Sequence, residues 1–201
     1  LSGIDIDLSA AFAQDLGARV EYVDSSFATL IDDVRSERCD VAMFAVGVLP
    51  QRRAHLRFTR PYLQSDIFGV ATKASRQIRN WADIDKPGVL VGVQSGTFME
   101  PVMAAALTKA RMVVIKPPAT REQELRAGRI DVFMTDFPYS RRLLDSADWA
   151  TLIEPPTPFH VLPYAYAVRP GDDEWYQQVD AFVQRIQQDG RLDAAARKYG
   201  L

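Results

Sequence analysis

Three polar features of this chain are of the kind that could hold a small zwitterion. Arg52 follows an apolar run, "DVAMFAV" (40–46), in the stretch "GVLPQRRAHLRFTRPYL". A guanidinium at the end of a buried strand can grip a carboxylate through two parallel N–H bonds, a fork that lysine cannot copy. Alone, such an arginine is as readily a solvated surface residue, which is the expectation for Arg53, Arg57 and Arg60. The second feature is "VQSGTFME" (93–100), read as strand, turn and helix start. Around Gly96, Thr97 and Phe98 the free backbone N–H groups and the helix dipole favour an anion. Thr97 adds a hydroxyl donor, unless Glu100 closes a capping box with it. The third is Asp136, at the end of the apolar run in "DVFMTDFPYS". It could accept an ammonium group or cap the following helix, where Pro138 suits an early position. A carboxylate clamp plus an ammonium acceptor describes an α-amino acid. Phe27, just inside an expected helix, is either a core residue or a ring stacked on the ligand; Phe44 reads as core.

The elements that must position these groups alternate. Residues 5–17 place Leu8, Ala11, Phe12 and Leu16 on one helical face, with Gly17 as the stop. "ARVEYV" (18–23) alternates as a strand, and a helix capped by Ser26 turns Phe27, Leu30, Ile31 and Val34 inward. The continuous run 40–46 suggests a parallel strand buried on both faces. A second cycle follows: strand 88–94, helix from Gly96, strand 111–116, short helix 120–128, strand 130–136 and helix 137–147. The reading is an α/β fold of two lobes, residues 1–68 with 168–201 and residues 69–167, joined by extended crossovers with hinges near 66–72 and 164–170. The N-terminal strand of the first lobe is expected to be missing. A ligand would then sit in the cleft, near strand C-termini and helix N-termini.

The 201 residues carry a net charge of −2 and no basic stripe, which argues against nucleic acid or an anionic membrane as partner. Cys39 is the only cysteine, so no intramolecular disulfide can form. Together with His55 and His160 it makes no recognised metal-ligand spacing. The 93–100 turn lacks both the GxGxxG spacing of a dinucleotide site and the GK[ST] ending of a P-loop. No metal and no cofactor is expected.

Taken in order, "GIDIDLSAAFAQDLG", "FATLIDDVRSERCDVAM", "LPQRRAHLRFTRPYL", "VGVQSGTFMEPV", "GRIDVFMTD" and "DGRLDAAARKYG" resemble the type II periplasmic solute-binding proteins of the polar amino-acid class. The likeness covers nearly the whole chain. It implies an exported, two-lobed protein that closes on an amino acid and delivers it to the membrane permease of an ABC importer. It implies Arg52 on the ligand carboxylate, donors from Gly96, Thr97 and Phe98, Asp136 on the ammonium, Phe27 as the stacking ring, and backbone groups near Phe44 and Val46 completing the shell. Segments such as "KPGVLVGVQSGTF" and "GRIDVFMTDFPYSRRL" are especially similar to an enzymatic branch, the cyclohexadienyl (arogenate/prephenate) dehydratases. That branch carries a general-acid glutamate where this chain has Tyr139, and a Ser or Thr is expected at the strand end where this chain has Gly47. Binding without chemistry is therefore the expectation, with no catalytic residue assigned and Tyr139 counted among the ligand contacts. The alternatives are a dehydratase and the extracellular sensor domain of a receptor.

Overall fold

A computed structural model describes residues 1–201. The chain divides into two compact units, residues 1–64 with 162–201, and residues 65–161.

The first unit opens with helix α1 (Ile4–Asp15), which buries Leu8 and Phe12. Gly17 ends it as expected: at a φ of 64° the N–H groups of Gly17 and Ala18 turn back to Gln14 and Ala13. Helix α2 (Leu30–Arg35) follows a turn in which the Asp33 carboxylate gathers Ser25 Oγ (2.6 Å) and Thr29 Oγ1 (2.9 Å). Phe27 lies in that turn, ahead of the helix. One helical turn, α3 (Pro50–Arg53), has Pro50 at its start, where the missing N–H costs nothing. Strands β1 (Arg57–Phe58) and β2 (Leu63–Ser65) are short.

Two expectations are corrected here. Residues 18–23 form no ladder, and 40–47 joins no strand ladder, its strand-type pairing being two isolated antiparallel bridges, Ala42 with Ala167 and Gly47 with Tyr164. The apolar pattern correctly marks extended chain, but a sheet needs a neighbouring edge. Instead, residues from 18–25 and 39–44 line an open groove of about 660 Å³, with Val20, Tyr22 and Val23 exposed. The parallel sheet read from the sequence is absent from this unit.

The second unit holds a five-stranded sheet in the order β5-β4-β6-β3-β7. In chain order its elements are β3 (Ile67–Thr72), β4 (Leu90–Gln94), α4 (Met99–Ala106), β5 (Arg111–Ile115), α5 (Arg121–Arg126), β6 (Val132–Asp136), α6 (Phe137–Leu144) and β7 (Ala150–Ile153). β4 runs parallel to β5 and β6, while β3 runs antiparallel to β6 and β7. Gly92 in β4 faces Phe133 in β6; a Cβ there would come within 2.5 Å of Ile130 Cδ1, the movable end of that side chain, which would have to shift. Val70, Ile115, Leu125, Ile130 and Phe133 are buried in its core.

The chain then returns to the first unit. β8 (Leu162–Tyr164) pairs with β2, and β9 (Ala167–Val168) pairs antiparallel with β1. Helices α7 (Asp173–Gln188) and α8 (Arg191–Lys198) finish the chain, Phe182 of α7 packing 4.7 Å from Phe12 of α1. The segments expected as hinges thus belong to ordered pairings. Residues 67–72 lie inside the sheet of one unit and 162–168 are tied to strands of the other, so the chain passes between units at 64/65 and 161/162.

Candidate functional site

Of the two adjacent arginines, Arg52 is 3% exposed and Arg53 is exposed, because successive residues of one helical turn point about 100° apart. Arg52 Nη1 donates to Gly47 O at 3.0 Å, and its guanidinium carbon lies 5.6 Å from the centre of the Phe27 ring. Phe27 packs in turn on Phe44 at 5.2 Å. Burial pushes the Arg52 pKa down to about 10, so the side chain keeps its charge at neutral pH in surroundings that disfavour it. Arg53 sits over Phe58, Arg57 pairs with Asp173, and Arg60 holds Asp180 through its backbone N–H and its guanidinium. These three serve the fold or the surface.

Gly47 completes the feature. Ala165 N donates to Val46 O and Val48 N donates to Pro163 O, so Gly47 and Tyr164 face each other as a non-hydrogen-bonded pair. In such a pair both N–H and C=O point away from the partner strand. The Gly47 carbonyl takes the Arg52 guanidinium. Its N–H, turned away from residues 163–165, makes no hydrogen bond to the protein.

In the second unit, β4 delivers Gln94 to a turn in which Gly96 has a φ of 76° and Phe98 precedes α4. The expected capping box is replaced by another contact: Glu100 Oε2 accepts from Gly96 N at 2.8 Å. Thr97 Oγ1 donates to Gln94 O at 2.7 Å, so its proton is committed to the turn. One of the turn's N–H groups is thus held by the protein's own carboxylate. The His160 ring lies 6.1 Å from that of Phe98, and its backbone N–H donates to Asp66 Oδ1 at 2.6 Å.

Asp136 ends β6 and caps α6, accepting from Tyr139 N at 2.9 Å. The capping role expected as one alternative is realised; an ionised carboxylate has about four acceptor positions, so a cap does not exclude an ammonium partner. Tyr139 donates its phenol proton to Glu122 Oε1 at 2.7 Å and packs under Arg121, whose guanidinium carbon is 4.3 Å from the ring centre. Burial, aided by the Glu122 bond and opposed by Arg121, raises the phenol pKa. Arg121 is itself buried and donates to Met134 O. Sequence reasoning passed over Arg121, Glu122 and Asp66. "TREQELRAG" reads as an ordinary solvated helix, and no spacing announces that its first two side chains turn toward Tyr139.

The structure therefore brings Phe27, Phe44, Val46 and Arg52 together in one unit, and places Gly96, Thr97 and Phe98 at one strand end and Asp136 and Tyr139 at another in the second.

The model of the bacterial extracellular solute-binding proteins, family 3, matches residues 1–201. The cyclohexadienyl dehydratase of Pseudomonas aeruginosa is 30% identical over 193 residues, 95% of this chain and 71% of that protein. The L-cystine-binding protein TcyJ of Escherichia coli is 25% identical over 199 residues, 99% of this chain and 74% of the relative. Among solved structures, the ancestral amino acid-binding protein AncCDT-1, described as a precursor of cyclohexadienyl dehydratase, superposes with a TM-score of 0.88 at 29% identity, covering 98% of this chain and 85% of that one. Buried arginine, strand-end turn and strand-end aspartate stand on a fold these proteins share, and the chain belongs to family 3 of the bacterial extracellular solute-binding proteins.

Proposed function

We infer that the protein captures a free amino acid, or a similar small carboxylate, outside the cytoplasm and hands it to an ABC-type importer. The observation that carries this reading is the buried Arg52 guanidinium beside Gly47, whose N–H is turned away from its partner strand. Both suit a carboxylate, which can accept from each through charge-assisted bonds. Phe27, whose ring faces the Arg52 guanidinium, lies against the ligand's apolar part, and Asp136 of the second unit is the acceptor offered to an ammonium group. Relatives named for binding cystine and arginine support an amino acid as the cargo class. A permease in the membrane is the partner this reading requires, and the family's extracellular character fits a periplasmic site of action. Titration calorimetry with each of the twenty common L-amino acids tests it: at least one should bind, and Arg52→Ala should abolish that binding while the protein stays folded.

Similarity to the P. aeruginosa dehydratase favours a second reading, loss of water from arogenate or prephenate. That reaction needs a proton donor for the departing hydroxyl. Tyr139 stands where the resemblance expects the acid, and burial makes its phenol a still weaker donor than usual. Incubation with prephenate should give no phenylpyruvate above background; steady formation, abolished in Tyr139→Phe, would establish the enzyme.

A further inference from the structure

Between its two bridges the 40–46 segment is longer than the chain it faces. Five steps lead from Ala42 to Gly47, against three from Tyr164 to Ala167, so two extra residues bulge out of the pairing. The bulge contains Ala45 at a φ of 55°, left-handed backbone that a residue with a Cβ rarely adopts. The other such residue, Glu37, has a local reason, since it closes α2 by bonding back to Val34. Ala45 has none within its own segment. What holds it comes from elsewhere: its N–H donates to the Tyr62 hydroxyl at 3.2 Å, and that hydroxyl donates to Asp5 Oδ1 at 2.7 Å. Tyr166 also reaches Asp5 Oδ1, at 3.2 Å, and its ring lies 4.4 Å from that of Tyr62. Both phenols are buried and their pKa values are pushed up, first by burial and then by Asp5.

Strain of this kind persists only where surroundings over-determine it, and it gathers at ligand clamps; bulges re-aim the backbone beside such sites. We propose that Tyr62, through its hydroxyl bond to Ala45 N, is the latch of this bulge and a positioning residue for ligand binding. It touches no ligand. It fixes the two extra residues so that Phe44 packs against Phe27, whose ring lies beside Arg52. This rests on the amino-acid reading above for what is bound, but not for the latch itself.

The test uses the full chain and four variants. Tyr62→Phe removes only the hydroxyl. It should weaken binding of whichever of the twenty common L-amino acids the wild type takes by at least tenfold, with the fold intact by circular dichroism. Tyr166→Phe, which loses an Asp5 contact but none to Ala45, should stay within twofold. Glycine adopts positive φ without strain, so Ala45→Gly in the Tyr62→Phe background should recover most of the lost affinity; a merely structural tyrosine would not be rescued this way. Should Tyr62→Phe fail to fold, Ala45→Val keeps the test alive, because a β-branched side chain resists positive φ and must cost tenfold with Tyr62 in place. Hydrogen exchange of the Ala45 amide reads the latch without a ligand and should accelerate at least tenfold in Tyr62→Phe. Unchanged exchange, unchanged affinity, or equal losses from Tyr62→Phe and Tyr166→Phe would overturn the proposal. If the wild type binds no amino acid, the proposed function is what fails, and the exchange result alone decides the latch.

Discussion

Arg52→Met separates the work of the guanidinium in binding from its work in the fold. The shift from 12.5 to about 10 means that burial disfavours the charged side chain by about 3 kcal/mol, at about 1.4 kcal/mol per unit. Against this stands the bond to Gly47 O, and hydrogen bonds to charged groups are worth about 1.5–3 kcal/mol. The two nearly cancel, and methionine refills most of the volume over Phe27. The ligand-free variant should therefore lose no more than about 2 kcal/mol, a small drop in melting temperature. Binding should behave otherwise. Removing one partner of a desolvated charge pair costs about 2–5 kcal/mol, or about thirty-fold to several thousand-fold in Kd. Arg52→Lys keeps the charge without the fork and should fall between. Arg53→Ala should leave Kd unchanged, since its exposed guanidinium over Phe58 is worth about 0.5–1 kcal/mol to stability alone. Calorimetry with the best amino acid, beside thermal melts of all four proteins, checks the set. A Met variant that melts far below the wild type yet binds undiminished would refute the reasoning, because Arg52 would then be a structural residue.

Asp136→Asn should spare stability, because asparagine caps helices as well as aspartate, yet weaken binding of an amino acid at least tenfold by removing the charge opposite its ammonium group. Calorimetry beside thermal melts reads both. Asp85 accepts from Thr108 N, Lys109 N, Ala110 N and Thr108 Oγ1, which hold its pKa well below the usual carboxylate range. Its folded value lies below the unfolded one near 3.8, so its contribution is whole above about pH 5 and is lost as pH falls from there. Urea melts between pH 2.5 and 6 should show Asp85→Ala less stable at pH 6 and closer to the wild type at pH 2.5. Gly92→Ala should destabilise by about 1 kcal/mol in denaturant melts, since its Cβ would push the end of the Ile130 side chain out of place.

The second unit was legible element by element because its strands and helices carry local signals. β4, β5 and β6 are short apolar runs, and each is followed by a turn or capping residue that the sequence displays. β3 escaped, since an apolar segment of six residues says nothing about whether it joins a sheet or crosses between bodies; only its pairing with Met134 and Leu152 decides. In the first unit the same kind of reading gave extended segments and then overreached, because period and composition report burial, not the presence of a neighbouring edge. The site divides along the same line. Arg52, Gly96 and Asp136 stood out because each ends or closely follows an apolar run, where the pattern changes visibly. Tyr62, Asp5, Arg121 and Glu122 did not stand out. They act through contacts with residues 13 or more positions away, and Glu122 with its partner 17 positions on.

A physical reason underlies that division. A first contact with ligand must be placed at a strand end or a helix start, so its position is written in local pattern. A residue that holds such a group in place can come from anywhere the chain folds back. Ala45 shows the difference most plainly: nothing in "AMFAVGV" demands positive φ, and a sequence built for that geometry alone would have glycine there. Alanine keeps the bulge only while Tyr62 holds its N–H, which makes the local conformation conditional on a tyrosine 17 residues downstream. A strained residue with a distant partner is therefore information about the site that only coordinates reveal. Shortening 42–47 by two residues would leave three steps on each side, restoring the regular pairing with 164–167 while keeping Gly47 opposite Tyr164 in a non-hydrogen-bonded pair. Deleting two residues from 43–46 should then leave a folded unit whose Arg52 remains in place and whose ligand affinity is lost, with hydrogen exchange slowed across the repaired ladder. A deletion that binds as the wild type does would mean that the bulge contributes nothing to capture.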